Sequence, residues 1–154
     1  MIRINRKTEY AIRMLLSLSK KEEGIRASTA EIQREMLIPR AFAQQIIAKL
    51  ARGSFIKTFP GREGGVMLAR PAKEINLLQL LEYFEHYLFA SGCQDTVGEC
   101  PLQEECPICA QLEYLKNVMS YELENINLED LAKGSKRQRL LVFSNVQQRI
   151  SVPV

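Results

Sequence analysis

The stretch from Pro39 to Gly53, PRAFAQQIIAKLARG, constrains the fold more than any other part of the chain. Proline fits the first turn of a helix, where its missing N–H would be unpaired anyway, and glycine is a common stop. A helix is therefore expected over residues 39 to 52. Phe42, Ile46 and Leu50 share one face of it, with Ala43 and Ile47 beside them. Arg40, Ala41, Gln44, Gln45, Lys49 and Arg52 are left for the other faces. Upstream, Ser28 and Glu31 have the spacing of a capping box, which predicts a shorter helix from about Thr29 to Met36. Short helix, tight turn and a second helix with a polar face make the helix-turn-helix pattern.

The flanks extend this pattern. Ala11, Met14, Leu15 and Leu18, widened by Ile12 and Leu16, predict a first helix over Thr8 to Lys21, broken by Gly24. After Gly53, two β-type runs, Ser54 to Phe59 and Val66 to Ala69, are joined by the turn-rich Pro60-Gly61-Arg62-Glu63-Gly64-Gly65, a hairpin placed where a wing would be. Asn76 is positioned to cap a helix with a stripe of Leu77, Leu80, Leu81, Phe84 and Leu88. Further on, Ile108, Leu112, Leu115 and Met119 step at helical spacing, Ile126 continues the face, and no Gly or Pro interrupts it. So narrow an apolar seam suits packing against a twin helix from a second subunit. The expected class is mainly α with a small β-hairpin: a winged helix-turn-helix over residues 1–73, then a linker helix, cysteine loop and dimerisation helix over 74–134. The tail over 135–154 has no clear period and is expected to be loosely ordered.

Charge divides along the same boundaries. Residues 1–73 carry 15 Lys and Arg against 6 Asp and Glu, residues 74–134 carry 2 against 12, and the last twenty carry 4 against none. A basic N-terminal half is suited to nucleic-acid phosphates, which would repel the acidic middle. The chain of 154 residues, 46% hydrophobic and 25% charged, has ordinary globular composition. No apolar run approaches the roughly 20 residues of a spanning helix, and the first residues lack a secretory h-region. A cytoplasmic protein without membrane association is expected.

All four cysteines fall in GCQDTVGECPLQEECPIC, at Cys93, Cys100, Cys106 and Cys109. Thiolates clustered in a reducing compartment point to a metal before they point to disulfides. Iron-sulfur and zinc both accept such ligands, and a thiol-redox or structural role also fits the spacing. The single histidine, His86, has no ligand-like spacing to the cysteines and reads as an ordinary surface or core-edge residue, with Tyr83, Phe84 and Tyr87 as core and interface. There is no glycine-rich phosphate loop and no nucleophile partnered with His86, so an enzyme is not expected.

Taken in order, several motifs resemble the winged-helix iron-sulfur transcription regulators, the family of IscR, NsrR and CymR. They are Thr8-Glu9-Tyr10-Ala11-Ile12-Arg13, Ile46-Ile47-Ala48-Lys49-Leu50, Gly64-Gly65 with Leu68-Ala69-Arg70-Pro71, the cysteines Cys93, Cys100 and Cys106, and Asn127-Leu128-Glu129-Asp130-Leu131. The resemblance spans Ile2 to Ala132. It implies a homodimer with crossed long helices, a recognition helix in the major groove of promoter DNA, a wing in the minor groove, and an iron-sulfur cluster whose state switches transcription. Repression is the expected sense, and 2Fe-2S is expected ahead of 4Fe-4S. Three features depart from the family pattern. The gap between the first two cysteines is one residue longer, Cys109 replaces a histidine, and Pro60-Gly61-Arg62-Glu63 replaces the wing's Arg-Gly-Pro-Gly.

Cys109 is therefore the expected fourth ligand on softness, with Glu9 of a second subunit as the alternative, because the nitric-oxide sensors carry an acidic residue there. For DNA, Arg40, Gln44 and Gln45 suit base edges, with Ala41 beside them. Lys49, Arg52 and Arg62 suit phosphates or the minor groove, and Ser28 and Thr29 sit at the start of the preceding helix. A structural-zinc or thiol-redox DNA-binding regulator is the alternative, followed by an iron-sulfur electron carrier, which would have no use for the basic half.

Overall fold

A computed structural model describes residues 4–61, 64–85 and 106–134. The elements run α1 (Arg6–Ser19), α2 (Thr29–Glu35), α3 (Arg40–Arg52), β1 (Ile56–Phe59), β2 (Gly65–Leu68), a 3-10 turn at Ala72–Glu74, α4 (Leu77–Phe84), α5 (Pro107–Glu124) and α6 (Leu128–Ala132). The mainly helical class with one antiparallel hairpin is the one expected.

Several boundaries differ from the sequence reading, each for a local reason. α1 starts two residues earlier than expected because the Asn5 side chain accepts the Thr8 amide at 3.0 Å and closes the helix start. Ser28 is the N-cap of α2, but its hydroxyl makes no capping bond. Only the Glu31 half of the expected box operates, its carboxylate facing the Ser28 amide while pairing with Lys21 at 2.8 Å. Pro39 stands in extended backbone at the N-cap of α3, outside the first turn. At the other end it is Ser54, at φ 58, that takes the left-handed turn, so β1 begins two residues later than expected. Gly53 itself has an ordinary φ of −79. It is needed for room: a Cβ there would lie 2.8 Å from the rings of Phe55 and Tyr83.

β1 and β2 pair from Ile56↔Leu68 to Phe59↔Gly65, and Ala27 adds a further bridge to Val66. Gly65 faces that bridge so closely that a Cβ would meet the Ala27 carbonyl oxygen at 2.5 Å. The hairpin is thus sealed to the segment before α2, and the Arg26 guanidinium lies 3.8 Å over the Phe59 ring.

The core gathers Ala11, Met14, Leu15 and Leu18 of α1, Ile32 of α2, Ala43, Ile46, Ile47 and Leu50 of α3, and Phe55, Ile56 and Val66 of the hairpin. Phe42, expected on the buried face, is half-buried and stacks on Tyr10 at 5.5 Å. The same core continues into Ile75, Leu80, Phe84 and Leu128. Ile126 was expected to extend the long apolar seam, but α5 ends at Glu124. The chain then turns back: Leu77 N–H donates to Ile126 O at 2.8 Å, and Leu128 N–H to Ile75 O at 2.9 Å. Asn127 caps α6 by accepting the Asp130 amide, and Leu128 is fully buried. The end of the long helix is therefore stitched into the winged-helix body.

Candidate DNA interface and cysteine site

Arg40, Ala41, Gln44 and Gln45 are all exposed, as are Ala48 and Arg52 one and two turns on, so the outer face of α3 is a continuous row. Sequence reasoning omitted Ala48, although it repeats the spacing of Gln44 and Gln45. Its short side chain leaves the middle of the row open. Ser28 is exposed and Thr29 half-buried at the start of α2. Arg52 folds its Nε back to Ala48 O at 3.3 Å.

Lys49 points elsewhere. It is half-buried, and its ammonium lies 4.5 Å from the Phe84 ring centroid and 5.5 Å from that of Tyr83, on the α4 side of the helix. Lys7, Gln45, Lys49, Arg52 and Phe84 border a cleft of about 350 Å³ between α1, α3 and α4. Lys7 adds a cation to this edge that no motif singled out; it precedes the buried face of α1 and could be found only through its neighbours in space. Arg62 in the wing lies outside the described residues.

Of the cysteines, Cys93 and Cys100 also lie outside the described residues, as do His86, Tyr87, Leu88 and the tail 135–154. Cys106 is the N-cap of α5 and Cys109 falls in its first turn, both half-buried. The amides of Cys109 and Ile108, at the open end of the helix, hold the Cys106 thiol below its ordinary pKa; the Cys109 thiol adds to this and burial opposes it. A thiolate favoured in this way, with a second thiol one turn on, is a donor pair that fits iron-sulfur or zinc ligation. Among the described residues no three of His, Cys, Asp and Glu converge on one point.

Glu9, the alternative ligand, pairs with Arg6 at 3.3 Å and with Arg13 on the surface of α1. Glu85 closes the same end of that helix from α4. Its carboxylate accepts the Asn5 amide at 2.9 Å, the Asn5 side-chain N–H at 3.0 Å and the hydroxyl of the fully buried Thr8. Burial pushes the Glu85 carboxyl up, but the Thr8 hydroxyl, the two Asn5 donors and the Lys49 charge outweigh it and leave the group below its ordinary value. No helix among the described residues is long and apolar enough to cross a membrane.

Comparison with known proteins agrees with this architecture. In fold, the chain is similar to CymR (YrzC), the global cysteine regulator of B. subtilis, with a TM-score of 0.68 at 19% identity over 88% of this chain and 100% of that one. It is also similar to T. potens IscR, with a TM-score of 0.66 at 18% identity over 90% of this chain and 91% of the other. In sequence it is 31% identical to Protein aau3 of Rhizobium meliloti (strain 1021), covering 92% of each chain. It is 27% identical to the HTH-type transcriptional regulator NsrR of Oceanobacillus iheyensis, covering 92% of this chain and 95% of the relative. The family described as "Rrf2: Iron-dependent Transcriptional regulator" matches residues 4–134. With that match spanning every described element, the chain belongs to the Rrf2 family of DNA-binding transcription regulators.

Proposed function

We propose that the chain works in the cytoplasm as a homodimeric repressor whose affinity for promoter DNA is set by an iron-sulfur cluster, 2Fe-2S ahead of 4Fe-4S. Cys93, Cys100 and Cys106 hold the cluster, with Cys109 as fourth ligand and Glu9 of the second subunit as the alternative. One observation carries the reading: Cys106 caps, and Cys109 lies in the first turn of, a helix whose apolar stripe is left uncovered in the single chain. α5 buries no residue in the single chain, and Ile108 (65%), Leu112 (38%), Leu115 (46%) and Val118 (40%) stand exposed along it. Covering such a stripe with its twin removes apolar surface from water. Any change at the cysteines then occurs at the edge of that interface.

When bound, the cluster supplies iron whose charge and ligation respond to oxidants or nitric oxide. The chain's own groups do the rest. The amides of Cys109 and Ile108 favour the Cys106 thiolate that ligation requires. Glu9 would have to leave two arginine partners to ligate, which favours Cys109. Arg40, Gln44 and Gln45 read base edges from the exposed face of α3, with Ala41 exposed beside them. Arg52, Arg62, Ser28 and Thr29 take backbone phosphates or the minor groove, and Lys49 adds charge from the inner edge.

Native mass spectrometry of the anaerobically purified protein, with its visible spectrum, tests the reading. The expected result is a coloured dimer with one cluster mass per subunit, a spectrum altered in Cys109→Ala and unchanged in Glu9→Ala. A colourless dimer carrying zinc would replace the cluster with a structural metal, and a monomer would remove the dimer. Binding to its own promoter should weaken steeply with salt.

A further inference from the structure

α4 stands between the cysteine-bearing helix and the recognition helix. On one side α5 packs against it, and the Leu77 amide at its start is bonded to Ile126 just past the end of α5. On the other side its last residues hold α3 and α1. The Tyr83 hydroxyl donates to Lys49 O at 2.9 Å, a carbonyl that already accepts the Gly53 amide at 3.0 Å. The Lys49 ammonium lies over the Phe84 and Tyr83 rings. The Tyr83 ring lies against Gly53 at the end of α3, where a Cβ would be 2.8 Å from it. Next in sequence, Glu85 accepts three hydrogen bonds from Asn5 and Thr8 at the start of α1.

We propose that Tyr83 and Glu85 are positioning residues that lock the end of the recognition helix and the start of α1 to α4, so that movement of α5 relative to α4 is conveyed to the DNA-reading face through Lys49. The proposal rests on the cluster-regulator reading above. The Tyr83 hydroxyl contributes little that the fold requires, since the helix carbonyl it contacts is already paired and the ring is held separately by Phe55 at 5.4 Å and Phe84 at 5.5 Å. Its particular effect is directional: it ties one carbonyl of the last turn of α3 to α4, and removing it takes away that single tether while leaving the ring packing and the helix bond to Gly53 in place. Glu85 does the same for α1 with a carboxylate that grips backbone and side chain together.

A thermodynamic cycle tests this. Promoter binding is measured by fluorescence anisotropy on the anaerobically purified full chain, for wild type, Y83F and E85Q, each with and without C106A. Amide hydrogen exchange of residues 49–53 is followed in parallel. In the wild-type background C106A is expected to shift DNA affinity by roughly 5- to 150-fold, the usual range of allosteric coupling. In Y83F and in E85Q that shift should shrink by about fivefold or more. Exchange at 49–53 should respond to C106A in the wild type and not in Y83F. If the C106A shift is the same size in all three backgrounds, the positioning role is overturned and the regulator reading stands. If C106A shifts nothing even in the wild type, the cluster-regulator reading fails and the proposal falls with it. E85Q reaches the same conclusion through a different contact, so failure of one variant to fold leaves the other as the test.

Discussion

Two leucines of the C-terminal region should respond to truncation in opposite ways. Leu128 is fully buried against Ile75 and the α1 core, and its amide bonds the Ile75 carbonyl at 2.9 Å. Leu115, on α5, is 46% exposed in the single chain. Leu128→Ala removes a packed side chain from a site that the backbone bonds around it hold open, which costs about 3 kcal/mol, within the range of roughly 2–5 kcal/mol for buried leucines. For a cooperative unit of this size that lowers the melting midpoint by on the order of 10 °C, and the loss should be independent of protein concentration. Leu115→Ala creates no cavity in the single chain. Its effect should appear as weaker dimerisation and a midpoint that falls on dilution. Calorimetry over a tenfold range of concentration, with sedimentation to follow the dimer, separates the two. A Leu128→Ala protein that melts with the wild type would refute the placement of α6 in the winged-helix core.

Leu37 is 78% exposed in the left-handed turn before α3, at φ 53. Leu37→Gly should raise stability by ~0.5–1 kcal/mol, the left-handed cost of about 1–2 kcal/mol being partly offset by glycine's greater unfolded-state entropy; a lowered urea midpoint would contradict this. Gly53→Ala has no backbone obstacle but collides with Phe55 and Tyr83, so a loss of about 1–3 kcal/mol with altered near-ultraviolet tyrosine dichroism is expected, and a neutral change would show that the rings give way freely. Because folding lowers the Glu85 pKa, its ionised form stabilises the native state above the ordinary carboxylate value of 4.5, and that contribution disappears as pH falls through the lower folded value. Urea midpoints measured downward from pH 5 should therefore fall more steeply for wild type than for Glu85→Gln, and parallel curves would count against the role. Gln44→Ala should change base preference at one position of each half-site, measured by selection from a randomised operator; uniform weakening on all sequences would mark Gln44 as a backbone contact.

Elements with local signatures were legible in the chain. α3 was placed to within a residue because its apolar spacing and its flanking Pro39 and Gly53 all lie within one short window. Asn76 was recognised as a cap for the same reason, and its side chain accepts the Gln79 amide at 2.9 Å. The exposed face of Arg40, Ala41, Gln44 and Gln45 follows from helical geometry once Ile46 and Leu50 are buried. What was missed depends on distance in the chain. Glu85 and Asn5 are eighty residues apart, and no periodicity relates them. Lys49 looked like any cation on a polar helix face until Tyr83 and Phe84 arrived beside it.

By itself, the sequence determined where the chain becomes helical, where the hairpin falls, which face of α3 carries polar groups, and that four soft ligands lie in one segment. These are matters of spacing, breakers and residue chemistry, which act over a turn or two of chain. Only the tertiary structure decided that Ile126 leaves the long seam and that Leu128 after it returns to the winged-helix core, that Gly53 is required for ring packing, and that Lys49 faces α4. Those outcomes depend on which surfaces bury one another. The apolar stripe of α5 could not extend to Ile126 because the backbone there is already paired with Leu77, and burying Leu128 against α1 removes more apolar surface from water than another exposed helical turn would.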